Sequence, residues 1–209
     1  LRAVSAVESR LWIAALVCAL AAFALGAIVA NRPPGRLDVA AQSLRGGAVP
    51  LALFFTALGR WPVLAGLGVV GFGAAMMLRA GTPAVTVLLG AQVVSQAVNA
   101  LAKLVFHRTR PGGELGIKET DLSFPSGHSV TAVVFFVGFA ILAWHAPLPR
   151  PLAAAVCIVL VACAAGIPWS RLALGAHYPT DVLGGLLLGA AFLCAALAVL
   201  LRFVPATPP

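Results

Sequence analysis

The chain has 209 residues, 61% of them hydrophobic and 10% charged, with a mean hydropathy of +1.03. A soluble globular domain carries roughly 25% charged residues, so this composition excludes one and describes a chain whose solvent is largely lipid. The formal charge of +8 does not signal nucleic acid, because the basic residues are scattered over connections rather than gathered on one soluble face; a phosphate-bearing or anionic-lipid partner accounts for it.

Apolar runs of about 20 residues can cross the hydrocarbon core. Six candidates follow one another: Leu11 to Ala30, Pro62 to Leu78, Pro83 to Ala102, Ser129 to Trp144, Leu152 to Trp169 and Val182 to Leu201. Two are short for a span and must borrow flanking residues. The first is longer than the apolar core of a secretory signal, and no clear cleavage site precedes Asn31, so it is kept as a helix. Nothing suggests a second domain. The expected fold is all-α: one domain over 1–209, a six-transmembrane-helix bundle with short interfacial helices between the first two spans.

Those interfacial helices are expected between Asn31 and Trp61, where Pro33, Pro34, Gly35, Gly46, Gly47 and Pro50 punctuate moderately apolar stretches. Leu51 to Leu58 is apolar but too short to cross. In the third span Gln92, Gln96, Asn99 and Lys103 recur at spacings of four, three and four, which aligns them on one helix face. Polar groups on a spanning helix face the bundle interior, since each unsatisfied one in lipid is costly. For the Gln and Asn members, hydrogen bonding to neighbouring helices is the simpler reading.

After Lys103 comes the most charged stretch, with His107, Arg108, Arg110 and Pro111, then a polar loop from Gly112 to Asp121. Phe124-Pro125-Ser126-Gly127-His128 follows and opens the next apolar run. Ser126 suits an N-cap, so Gly127, His128 and Ser129 would offer free N–H groups to an anion. Pro147, Pro149 and Pro151 separate the fourth and fifth spans. The four cysteines, Cys18, Cys157, Cys163 and Cys194, lie in apolar runs without CxxC spacing and read as small buried residues.

Ser170 to Asp181 places a cation, an imidazole and a carboxylate in one short stretch. If its backbone is helical, His177 and Asp181 share a face. Pro179 suits the first turn of the last helix. The carboxylate then either orients the ring as in a catalytic triad or merely caps an interfacial histidine. In the last span Gly185 and Gly189 form a small-xxx-small pair for close helix approach. With six spans, the loop after the third and the loop between the fifth and sixth fall on one membrane side, so the separate polar segments can converge.

These segments resemble the three-part signature of the type 2 phosphatidic acid phosphatase superfamily of integral-membrane lipid phosphatases. Its parts are Lys103 with Arg110-Pro111, Pro125-Ser126-Gly127-His128, and Ser170-Arg171 with His177 and Asp181; all eleven fixed positions are matched in order. The resemblance implies that His177 attacks phosphorus to form a phosphohistidine, that Asp181 orients its ring, and that His128 protonates the leaving lipid oxygen and then activates water. It implies that Lys103, Arg110, Arg171, Ser126 and Gly127 cradle the phosphate, with no metal and no other cofactor. A zinc or magnesium site on His128, His177 and Asp181 lacks the spacing such sites favour.

Nine basic residues fall on the motif side (Arg32, Arg36, Arg45, Arg60, Lys103, Arg108, Arg110, Lys118, Arg171) against five on the other (Arg2, Arg10, Arg79, Arg150, Arg202). Removing the three assigned to phosphate leaves six against five, so the positive-inside rule decides nothing. The resemblance implies a site facing the extracytoplasmic side with both termini inside, while the Ala- and Leu-heavy composition and compact size look bacterial, so a multi-pass plasma (inner) membrane protein is expected. Phosphatidate, phosphatidylglycerol phosphate and polyprenyl diphosphate are the substrate candidates, and the Ala- and Leu-heavy composition leans to the last two. Phosphotransfer to a hydroxyl through the same intermediate is a second enzymatic reading. A non-catalytic anion or lipid transporter is a third, opposed by charge that clusters at one end of the bundle and by the lack of an evident internal repeat.

Overall fold

A computed structural model describes residues 2–116 and 118–203. Residues 1, 117 and 204–209 of the domain expected over 1–209 lie outside the described residues, as does the side chain of Arg2. In order come α1 (Arg2–Val29), the short α2 (Arg36–Ala40), α3 (Val49–Leu58), α4 (Trp61–Met77), α5 (Thr82–Phe106), α6 (Gly127–Thr131), α7 (Gly138–His145), α8 (Arg150–Ala173) and α9 (Pro179–Phe203). A π-helical stretch, Ala132–Val137, joins α6 to α7 into one span, Gly127–His145. No strand occurs among the described residues. Helices suit a chain in lipid because each satisfies its own backbone hydrogen bonds.

Prolines start these helices where the missing N–H costs nothing. Pro50, Pro62, Pro83 and Pro151 sit in the first turns of α3, α4, α5 and α8, and α9 opens on Pro179. Among the described residues five helices are long and apolar enough to cross a membrane, and six spans result if α3 and α4, joined at a bend of 57°, count as one. The connection between the first two spans contains short helices as its composition predicts. However, α3 packs into the bundle. Ala52 and Thr56 are buried as α3 packs on α8, beside Ala173 and Leu174.

α1, α5 and α6 all pack on α9, burying a core of Ala22, Leu88, Val130, Val134, Leu188 and Leu193. The outer faces are apolar: Ile13, Leu20, Val93, Val105 and Ile158 are all exposed. In water that surface would aggregate; against acyl chains it is matched. Gly185 and Gly189 do what their spacing predicts. A β-carbon at 185 would run into the Ser126 carbonyl and stand 2.8 Å from Ser129 Cβ, and one at 189 would stand 2.9 Å from the Val130 carbonyl oxygen. The glycines thus let α6 lie directly on α9, close enough for the Ser126 N–H to donate to the Asp181 carbonyl at 3.0 Å.

Candidate active site

The three signature segments meet at one end of the bundle. Lys103 and Arg110 come from the end of α5 and the loop beyond it, Gly127 and His128 from the first turn of α6, and His177 from the turn between α8 and α9. All five line a chamber of about 490 Å³. Ser126, Arg171 and Asp181 are fully buried behind them. The opposite wall comes from the α3–α4 bend, through Arg60, Trp61, Pro62 and Leu64. There Gly59 is required, since a β-carbon would collide with the His128 ring.

The conditional expectation of a helical His177–Asp181 pair is corrected. His177 lies in a turn before α9, and Asp181 is the third residue of that helix. Its Oδ2 reaches back to accept the Tyr178 N–H at 2.8 Å, the reciprocal half of a capping box. The Nδ1 of His177 stands 3.6 Å from Asp181 Oδ2, too long for a hydrogen bond. Ser123 fills the gap: its hydroxyl donates to Asp181 Oδ2 at 2.5 Å and lies 3.4 Å from Nδ1. On the far side of the ring, Arg110 Nη1 is 3.1 Å from Nε2. A guanidinium can only donate, so Nε2 carries the lone pair, Nδ1 carries the proton, and the unprotonated nitrogen faces the chamber. Burial first, then the charges of Arg171, Arg110 and Lys103, holds this ring well below its ordinary 6.5.

The cations expected to grip phosphate are engaged by the chain's own carboxylates. Lys103 Nζ pairs with Asp121 Oδ2 at 2.9 Å and donates to the Leu122 carbonyl, while Arg110 Nη2 holds the other Asp121 oxygen. Partial burial opposes ionisation of Asp121, yet Lys103 and Arg110 outweigh it and set its pKa at about 2. Arg171 donates to Glu119 at 2.7 Å and to the Thr56 hydroxyl, and its Nε has no partner among the described residues. His128 places Nε2 3.2 Å from the Thr56 carbonyl, which requires Nε2 to be the donor.

Ser126 occupies the N-cap position but makes no side-chain cap. Its hydroxyl instead accepts from Ser129 at 3.1 Å, because the packing of α6 on α9 turns it into the helix seam. The α5 stripe divides as its chemistry suggests. Gln92 and Gln96 donate to the Thr131 hydroxyl at 2.9 and 3.0 Å, whereas Asn99 lines the chamber with its Oδ1 lacking a partner among the described residues. Among the described residues no three His, Cys, Asp or Glu side chains form a metal-ligand set.

Sequence reasoning gave no role to Ser123, Thr56, Asp38, Arg108, Glu119 or Asp121. One signal was available: the chain has six acidic residues, and four of them, Asp38, Glu119, Asp121 and Asp181, surround this site.

A family model for the PAP2 superfamily matches residues 84–204. The lipid A 1-phosphatase of Rhizobium johnstonii is 44% identical over 70 residues, which cover 34% of this chain and 25% of that protein. Phosphatidylglycerophosphatase B of Bacillus subtilis is 37% identical over 93 residues, covering 44% of this chain and 46% of that protein. The crystal structure of a transmembrane PAP2 type phosphatidylglycerolphosphate phosphatase from Bacillus subtilis aligns with a TM-score of 0.71 at 26% identity, over 96% of this chain and 98% of that one. The matched stretches thus span between a quarter and a half of these two curated relatives.

Proposed function

Since the chain belongs to the PAP2 superfamily, we propose that it hydrolyses the phosphomonoester or diphosphate of a membrane lipid through a phosphohistidine on His177. The observation that carries this reading is the arrangement of the His177 ring. Its lone-pair nitrogen faces a cationic chamber and its Nδ1 proton is directed at Ser123 and Asp181. That is the orientation a nucleophilic imidazole needs.

In the first step Nε2 attacks phosphorus, the bond from phosphorus to the lipid oxygen breaks, and His128 delivers a proton to that oxygen. In the second, His128 takes a proton from water as its oxygen attacks phosphorus. The P–N bond breaks, and inorganic phosphate leaves with His177 restored. Proton transfer of this kind contributes about 10² to 10⁴ in rate. Lys103, Arg110 and Arg171 would neutralise the phosphoryl oxygens. The chamber suits an amphiphile, since its lining combines the cations Lys103, Arg110 and Arg60 with the apolar side chains of Trp61, Pro62 and Leu64.

Phosphate release by the purified protein from phosphatidate, phosphatidylglycerol phosphate and polyprenyl diphosphate, in excess EDTA, tests the reading. Turnover that vanadate inhibits and that His177→Ala lowers by about 10³-fold or more supports it; a fully active His177→Ala ends it. The chamber is placed on the extracytoplasmic side of a bacterial inner membrane in this proposal. Lys118→Cys, at an exposed loop position in a background free of the four native cysteines, should be labelled by an impermeant maleimide in intact cells. Labelling only in opened cells would reverse the orientation.

A further inference from the structure

Behind His177, and outside the chamber, a buried ionic cluster ties the first interfacial helix to the catalytic turn. Arg108 Nη1 donates to Asp181 Oδ1 at 2.5 Å and to the Thr180 hydroxyl at 2.6 Å, and Nη2 donates to Asp38 Oδ2 at 2.7 Å. Asp38 Oδ1 accepts the Thr180 N–H at 3.1 Å and its hydroxyl at 2.8 Å. The guanidinium carbon lies 4.5 Å from the centre of the Tyr178 ring. Arg108 is 4% exposed and Asp38 2%.

We infer that Asp38 and Arg108 are positioning residues for the phosphohistidine chemistry: together they fix the Asp181 carboxylate and so the Ser123–His177 pair in front of it. The inference rests on the function proposed above. Asp181 accepts four hydrogen bonds from the described residues: Oδ1 receives Arg108, Oδ2 receives Ser123 and the Tyr178 N–H, and its carbonyl receives Ser126. Only the first carries a full charge. Alone, Arg108 would neutralise Asp181 and weaken its hold on an imidazole that turns cationic as its Nε2 bonds to phosphorus. Asp38 shares that guanidinium, so two carboxylates face one cation and a net negative charge remains behind the ring. Asp38 also caps the positive end of α9, which fixes the helix that carries Asp181.

Neither residue lines the chamber, so the cluster should govern turnover and leave substrate affinity alone. The experiment uses the full chain in lipid nanodiscs with the fastest lipid of the phosphate-release panel and orthovanadate as the binding probe. Asp38→Asn keeps shape and removes charge; Arg108→Lys keeps charge and removes the fork. Each should lower kcat by about 10- to 100-fold, with KM and vanadate inhibition within about twofold of wild type. The double variant should be no slower than the slower single, as for residues that act as one unit. Thr180→Val, which leaves both charges in place, should give a milder loss of about three- to tenfold in kcat.

A kcat within about twofold of wild type in Asp38→Asn or in Thr180→Val overturns the inference. So do additive losses in the double variant, or loss of vanadate inhibition in step with kcat. An inactive wild type, or an active His177→Ala, removes instead the reading on which the inference stands.

Discussion

The carboxylate of Asp121 bridges Lys103 and Arg110, with Oδ2 at 2.9 Å from the lysine and the other oxygen on the arginine. One side chain thereby engages two of the three cations assigned to phosphate, and Glu119 engages the third, Arg171. In the proposed function, a phosphoryl group entering the chamber would compete with these carboxylates for the cations.

Asp121→Asn therefore strengthens anion binding. The carboxylate is half exposed, and solvent-accessible ion pairs are worth about 0.2–1 kcal/mol after screening, so the inhibition constant for orthovanadate should fall by up to about fivefold. Weaker vanadate inhibition in a folded Asp121→Asn would mean that Asp121 organises the cradle instead of competing with its ligand.

Removing the Ser123 hydroxyl takes away the bridge found among the described residues between His177 Nδ1 and Asp181 Oδ2, which stand 3.6 Å apart. A hydrogen bond to a charged partner is worth about 1.5–3 kcal/mol. Ser123→Ala should thus lower kcat by about 10- to 100-fold with KM little changed. Steady-state kinetics on one lipid substrate decides it, and an unaltered kcat would show that the ring needs no bridge.

Acid should destabilise the fold through His177. An unfolded chain protonates histidine near 6.5, whereas burial and the Arg171, Arg110 and Lys103 charges keep the folded ring neutral well below that value. This contribution is therefore full above about pH 6.5 and shrinks as pH falls beneath it. Asp121, with its pKa at about 2 against an ordinary 3.8, adds stability above 3.8 that is lost as pH falls toward 2. Melting temperatures measured between about pH 7 and pH 5 should decline, and His177→Ala should make the decline shallower. An equal slope in both proteins would refute this account.

Gly185→Ala should cost about 1–3 kcal/mol as an overpacked contact, because its methyl group would meet the Ser126 carbonyl and Ser129 Cβ. Activity should suffer more than stability, since prying α6 from α9 separates His128 from His177, and displacement by about 1 Å can cost about 10²-fold. Gly90→Ala is the control: it lies within α5, and apart from its own helix backbone and chain neighbours no atom of the described residues comes within 4 Å of the added carbon. It should be neutral or slightly stabilising. Melting curves and turnover of the two variants separate the effects.

The parts of the site that could be read from the chain are those fixed by short spacings and by the alternation of apolar runs. Lys103 and Arg110, Ser126 to His128, and Arg171 to Asp181 were each local patterns, and counting spans brought them to one end. Long-range pairings escaped. Thr56 meets Arg171 across 115 positions and Arg108 meets Asp38 across 70, distances over which sequence offers no register. The shared face of His177 and Asp181 depends on a helical backbone, and that condition is not met: a helix that starts at Pro179 leaves His177 outside it, so the i,i+4 rule does not apply.

The bend between α3 and α4 brings Gly59, Arg60 and Trp61 to the chamber, while most of the groups assigned to the reaction ride on α5, α6 and the α8–α9 turn. In the proposed reading, contacts to the lipid beyond its phosphate would thus come from the bend, while the groups that hold and transform the phosphate ride on other pieces of chain. Such a division lets the tolerance for different headgroups drift through changes at one hinge, with the reacting imidazole left undisturbed.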